Sequence, residues 1–194
     1  LIPRFYDVTE GKILLDGIDI RTLRQHDLRH QIGFVPQKGL LFSGDIASNI
    51  RYGREVATDA ELDEAAKVAQ AKEFIDAFPE KMETPIAQGG TNVSGGQKQR
   101  LSIARALATK APVYVFDALD FKTDAALRRA LSTYTKDSAV LIVAQRVSTI
   151  MNAEQIIVLD EGKIVGKGTH KELLRTCKTY LEIAQSQLSE EELA

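Results

Sequence analysis

Residues Val113-Tyr114-Val115-Phe116 are apolar at every position, and the run stops on an acid, Asp117. A strand with one wet face alternates apolar and polar side chains, so an unbroken apolar run needs cover on both faces, as in a parallel sheet flanked by helices. Val140-Leu141-Ile142-Val143 has the same character. Both are candidates for a central parallel sheet, which predicts an α/β fold. Asp117 then falls at the carboxyl end of a buried strand, where such sheets bind ligands, and can hold Mg²⁺ directly or through water. Its plainer role would be to cap the following turn.

Further strands are expected at Lys12–Leu15, Gln31–Val35, Ala139–Val143, Gln155–Leu159 and Lys163–Gly166. Gly11 and Asp16-Gly17 punctuate the first of these, which predicts an antiparallel hairpin over Lys12–Ile20. Thr58 with Glu61 forms a capping box that opens a helix running to Ala77, with Leu62, Ala65, Ala66 and Ala69 on its inner face. Pro79 and Pro85 break the next stretch, and Gln88–Asn92 is a loop by composition. Gly95–Ala108 is expected to be helical, turning Leu101, Ala104, Leu107 and Ala108 inward. Residues 45–110 are thus helix-rich between strand-rich ends, which predicts a helical subdomain inserted in one α/β domain. A helix over Thr123–Tyr134 and a short one after Ser148 follow. Thr169 and Glu172 then open a C-terminal helix carrying Leu173, Leu174 and Tyr180, and Ser189–Glu192 reads as a solvated tail.

The 194 residues suffice for about one domain, and 44% hydrophobic with 27% charged content is ordinary globular usage. Twenty-five Lys and Arg against 27 Asp and Glu leave a net charge of −2, so no basic field argues for nucleic acid. Aromatic content of 6% without basic interleaving argues against a base-stacking platform. Cys177 has no cysteine partner and reads as a plain packed or surface thiol in a reducing compartment. His26 and His30, four apart, fit one solvated helix face. No apolar run approaches the roughly 20 residues that span a bilayer. Leu1–Tyr6 has neither a starting methionine nor a signal-peptide pattern and reads as the middle of a longer chain.

The strongest chemical signal is Val93-Ser94-Gly95-Gly96-Gln97-Lys98-Gln99-Arg100. A helix N-terminus offers unsatisfied N–H groups and a positive dipole end, and glycines admit a phosphate close to the backbone. Ser94 adds a hydroxyl and Gln97 an amide, with Lys98 and Arg100 as nearby charge. Ser-Gly-Gly before a helix can equally be an N-cap with a flexible lead-in.

In this order the two elements resemble the nucleotide-binding domain of ATP-binding cassette (ABC) transporters, and the resemblance extends over nearly the whole chain. Val93–Gln97 resembles the family signature, usually LSGGQ, and Val113–Asp117 matches Walker B. Ala118-Leu119-Asp120 is similar to the end of the D-loop, and Gln37 in Val35-Pro36-Gln37 to the Q-loop glutamine. Leu41–Ile46 with Asn49-Ile50 resembles the segment that follows in exporters. Ile86–Gly90 is similar to the exporter loop that contacts transmembrane domains, and Val143–Thr149 corresponds to the switch region. The resemblance implies a P-loop-NTPase-like, mostly parallel sheet with an inserted helical subdomain and an N-terminal antiparallel β element, truncated at its N-terminus.

It also implies roles. Gln37 would sense Mg²⁺ and the γ-phosphate, and Asp117 would hold Mg²⁺. Ser94, Gly95, Gly96 and Gln97 would clamp the ATP of an opposing domain, Asp120 would bridge the two sites, and Gln145 would face the γ-phosphate. The implied partners are ATP, transmembrane domains and a second nucleotide-binding domain, like or unlike, at the cytoplasmic face of the cell membrane. ABC ATPases of DNA repair or translation fit less well, given the exporter-like loop.

The sequence also departs from the family. No G-x-x-x-x-G-K-[ST] occurs, so the phosphate cradle and its lysine are missing from these residues, and a core without that strand and helix should expose apolar sheet surface. Asp117 is followed by Ala118 where hydrolytic members carry glutamate, and its spacing to Asp120 is four residues short. Gln145 replaces the usual histidine and cannot be cationic. These departures suit either an active cassette shown in part or a degenerate one that only donates its signature to a partner's ATP site.

Overall fold

A computed structural model describes residues 1–117 and 125–189. These divide into two compact units, Leu1–Asp117 with Ala126–Leu141, and the residues from Ile142 onward.

In the first unit the expected hairpin pairs β1 (Leu14–Leu15) with β2 (Ile18–Asp19), turning on Asp16 and Gly17 with φ of 49° and 80°. Positive φ at both central residues gives the turn the twist that suits paired strands. After α1 (Gln25–His30) comes β3 (Ile32–Val35). Two short elements that the sequence did not suggest follow, β4 (Gly44–Asp45) and α2 (Ile46–Arg51), the latter capped reciprocally by Asp45 and Ser48. Then come α3 (Asp59–Val68), α4 (Lys72–Ala77), β5 (Pro85–Ile86) and α5 (Gly95–Ala108). The unit closes with β6 (Val113–Asp117), α6 (Ala125–Tyr134) and the first residues of β7 (Ala139–Val143).

β3 and β6 run parallel with Val35 opposite Phe116, and the strand order is β3-β6-β7. Tyr114, Val115 and Phe116 are buried, as a doubly covered strand requires. Gly33 makes this possible, because a Cβ there would lie 2.5 Å from the Tyr114 ring. The same expectation fails for β7, whose Val140 and Leu141 are 43% and 41% exposed. β7 ends the described order, and because strand side chains project from the faces of the sheet, what Val140 and Leu141 lack is cover on those faces. Apolar sheet surface therefore does lie open here.

The inner faces of the helices are as expected: Leu62, Ala65, Ala66 and Ala69 are buried, as are Leu101, Ala104, Leu107 and Ala108. The single helix expected from Thr58 to Ala77 is instead two. Gln70 takes φ 54°, its N–H reaches the Lys67 carbonyl, and the Ala71 N–H reaches Ala66 at 2.8 Å. That pair of bonds is a Schellman stop, here with Gln where glycine is usual.

The second unit holds α7 (Val147–Ile150), then the antiparallel hairpin of β8 (Ile156–Asp160) and β9 (Lys163–Gly168), turning on Glu161 and Gly162. Here too one expected helix is two, α8 (His170–Thr176) and α9 (Lys178–Gln187). Cys177 between them is extended, with φ −121° and ψ 105°, which turns the chain so that the Tyr180 hydroxyl meets His170 Nδ1 at 2.8 Å. The core gathers Val147, Ile156, Val158, Leu173, Cys177, Tyr180 and Ala184. Cys177 is a packed thiol, and Gly166 leaves it room, since a Cβ there would sit 2.7 Å from the sulfur.

Candidate functional site

Ser94 is the N-cap of the 14-residue α5. Its Oγ accepts from the Gln97 N–H at 3.2 Å, and Gln97 Oε1 accepts from the Ser94 N–H at 2.9 Å. This reciprocal box commits the Gln97 oxygen to the helix, so the NH₂ group is what Gln97 can offer a ligand. Ser94, Gly95 and Gly96 are exposed. A Cβ on Gly95 or Gly96 would meet nothing within 4 Å, and neither residue has a left-handed φ. The fold therefore does not demand glycine at either position. Their bareness leaves first-turn N–H groups and the positive helix end open to approach from outside.

The loops beside this helix end pack against it closely. Gly39, two residues after Gln37, is so near the first turn of α5 that a Cβ would lie 2.8 Å from the Lys98 carbonyl. Gly90, with φ 67°, fits between Leu41, Lys98 and Val93. The Asn92 side chain closes the exporter-like loop by accepting from the Ala87 N–H at 3.0 Å and donating to the Pro85 carbonyl at 2.8 Å. β4 and β5 pair Gly44 with Ile86, which sets this loop beside residues 41–46.

Asp117 and Gln37 share the carboxyl edge of the sheet. Val35 and Phe116 are paired in register, so Asp117 lies one residue, and Gln37 two, beyond the same rung. Asp117 is half-buried and Gln37 exposed. A carboxylate and an amide carbonyl are the hard oxygen donors that Mg²⁺ takes, its remaining positions going to phosphate and water. These residues fit such an ion. Among the described residues there is no cluster of three or more His, Cys, Asp or Glu able to hold a metal by itself.

Gln145 belongs to the second unit and is exposed at the start of α7. Its carbonyl accepts from Gln187 Nε2 at 3.0 Å, and Gln187 Oε1 accepts from the Val147 N–H at 2.9 Å. One amide thus clamps the turn that carries Gln145. An open depression lined by Gln145, Arg146, Ser148, Ser186 and Gln187 lies over it. Nothing in the sequence flags Gln187, which reaches this turn from more than forty positions away. Asp120 lies outside the described residues, with Ala118 and Leu119. Of the remaining sequence-derived candidates, Gln37, Ser94–Gln97 and Asp117 fall in one unit and Gln145 in the other.

The sequence placed Asn49 in the exporter-like segment without a role of its own, and Arg105 was missed. Asn49 is buried, accepts from the Phe42 N–H at 2.9 Å and donates to the carbonyls of Phe42 and Asp45, both at 2.9 Å. Arg105 binds its carbonyl and its side-chain oxygen at 2.8 Å each. A polar residue within Ile46-Ala47-Ser48-Asn49-Ile50 was the available signal.

The ABC transporter family profile matches residues 1–119. The chain is 48% identical to an "Uncharacterized ABC transporter ATP-binding protein" of Mycobacterium tuberculosis (strain ATCC 25618 / H37Rv), over 96% of this chain and 33% of that protein. It is 47% identical to a "Putative multidrug export ATP-binding/permease protein" of Staphylococcus aureus (strain NCTC 8325 / PS 47), over 93% of this chain and 32% of that protein. Among solved structures, a bacterial Atm1-family ABC exporter with ATP bound superposes with a TM-score of 0.91 at 39% identity, covering 97% of this chain and 34% of that one. The chain spans about a third of the length of these relatives. No described helix is long and apolar enough to cross a membrane. On the matched residues and this similarity, the chain belongs to the ABC transporter family and is the nucleotide-binding cassette of an exporter-type member.

Proposed function

We propose that this cassette couples ATP binding and hydrolysis to transmembrane export at the cytoplasmic face of a cell membrane, as part of a transporter with transmembrane domains and a second nucleotide-binding domain. The observation that carries the reading is the open helix end: Gly95 and Gly96 have room for side chains and carry none. Ser94 Oγ, the first-turn N–H groups and the Gln97 NH₂ are donors suited to the phosphate oxygens of a nucleotide presented by the opposing domain. Asp117 and Gln37 would hold Mg²⁺, which when bound neutralises phosphate charge. Gln145 would donate to a γ-phosphate oxygen, and Asp120 would bridge the two sites.

Gly96→Ala tests this reading in the full-length transporter with its partner. Alanine is the better helix former by roughly 0.5–1 kcal/mol in a helix interior, and the added Cβ has space. Folding should therefore hold or improve while ATP turnover falls by about tenfold or more, a loss near 1.4 kcal/mol of transition-state binding. Unchanged turnover in a folded variant would sink the trans-acting role.

A further inference from the structure

α5 carries a second feature, three turns beyond Ser94. Arg105 is largely enclosed, and burial lowers its pKa from the usual guanidinium value. Its Nε donates to the Asn49 carbonyl, Nη2 to Asn49 Oδ1 and Nη1 to the Leu40 carbonyl, each at 2.8 Å. The guanidinium also lies over two aromatic faces, 5.0 Å from the Phe42 centroid and 5.9 Å from that of Tyr52. None of these acceptors is a carboxylate. A desolvated cation held only by neutral oxygens and ring faces is costly to install, and the planar fork is the one side chain that reaches all of them at once.

Those contacts converge on one stretch of chain. Residues 39–53 lie along α5, and glycines seat both ends: a Cβ on Gly39 would press on the Lys98 carbonyl, and one on Gly53 would run into the Arg105 carbonyl. Between them Asn49 Oδ1 accepts from both the Phe42 N–H and Arg105, which joins α2, the residues before it and α5 in one network. The outer side of this stretch is apolar and exposed, with Leu40 at 61% and Tyr52 at 67%, and the rings of Phe42 and Tyr52 meet at a 41° tilt with centroids 4.7 Å apart.

We infer that Arg105 is a positioning residue that makes segment 39–53 one body with the helix carrying Ser94. A displacement of the nucleotide-facing end of α5 is then delivered to the Phe42–Tyr52 surface about 16 Å along the helix, at 1.5 Å per residue. This rests on the reading of Ser94–Gln97 as a nucleotide contact.

The test is amide hydrogen exchange on the full-length transporter in lipid nanodiscs, with and without Mg-ATP, for wild type, Arg105→Met and Arg105→Lys. In wild type, Mg-ATP should slow exchange both at 95–98 and within 40–53. In Arg105→Met the response at 95–98 should persist while that of 40–53 disappears, and without nucleotide the Phe42 amide should exchange about ten- to a hundredfold faster. Arg105→Lys keeps the charge without the fork and should shift in the same direction by less. If residues 62–69 lose protection in Arg105→Met, that variant has misfolded, and Arg105→Lys decides by the same criterion. A full response of 40–53 in a folded variant overturns the proposal, as does a wild type in which 95–98 responds and 40–53 does not. No response at 95–98 in wild type overturns the nucleotide reading itself, and this proposal with it.

Discussion

Ser94 serves the fold and, on the proposed reading, a ligand, and the two roles separate by substitution. As N-cap it satisfies the Gln97 N–H, so Ser94→Ala should destabilise by about 1 kcal/mol. Ser94→Asp keeps a good cap and favours the helix dipole, so the thermal midpoint should stay within a degree or two of wild type. The same carboxylate would repel phosphate at an exposed anion site. Ser94→Asp should therefore lose nucleotide turnover more completely than Ser94→Ala despite the better fold. Calorimetry and turnover assays on the two variants check this ordering, and activity that simply tracks stability would reduce Ser94 to a cap. The sequence showed the ambiguity and could not resolve it, because a capping serine and a phosphate-binding serine occupy the same position before a helix. The empty space around Gly95 and Gly96 is what the proposed ligand role is argued from.

Helix starts written in side-chain chemistry were legible at Thr58–Glu61 and Thr169–Glu172, and Ser94 as an N-cap, whereas the box of Asp45 and Ser48 went unread. Thr58–Glu61, Ser94–Gln97 and Thr169–Glu172 are all observed capping boxes. Stops written in backbone conformation were not legible. Gln70 ends α3 in a left-handed conformation where glycine is expected, and its carbonyl accepts from Arg100 Nη1 at 2.7 Å, thirty residues on. Neither fact has a local signature. The helix-like composition on both sides of Gln70 hides the break. A non-glycine residue in this region carries strain of roughly 1 kcal/mol. Gln70→Gly should thus raise stability by about that amount, less the weak Nε2 bond to the Lys67 carbonyl at 3.2 Å. Gln70→Val should lower it, since a β-branched side chain suits the conformation least. Urea midpoints for the two variants must fall on opposite sides of wild type; both falling below would mean that the Gln70 side chain, and not its backbone, makes the stop.

The division into two compact units has no sequence marker, because β7 belongs to an apolar run that continues across the boundary at Leu141. The titrating groups, however, are distributed unequally between the units. In the first, Lys110, the Thr58 N–H and Arg54 hold Glu61 down at about 2, and Arg21 holds Asp19 at about 2. Folded carboxylates depressed in this way contribute stability that is present above their unfolded values near 4 and is lost as pH falls through about 2. Both are solvent-screened surface groups, so each contribution is small. In the second unit burial, with Lys171 nearby, lowers the pKa of His170 from 6.5, while burial pushes the Tyr180 hydroxyl beside it up to about 12. The unfolded chain then binds a proton before the folded unit does. Stability from His170 is full above 6.5 and falls as pH drops through the lower folded value. As pH falls below 6.5, with the carboxylates still ionised, the second unit should therefore weaken while the first holds, so one melting temperature would not describe the molecule. Hydrogen exchange at pH 7.5 and 5.5, corrected for the intrinsic rate, should show faster opening across α8 and α9 and no change in residues 95–108. His170→Gln retains a hydrogen-bonding partner for Tyr180 and cannot titrate, so it should abolish the difference. If the difference survives in that variant, or both units loosen together, acid sensitivity lies elsewhere in the molecule.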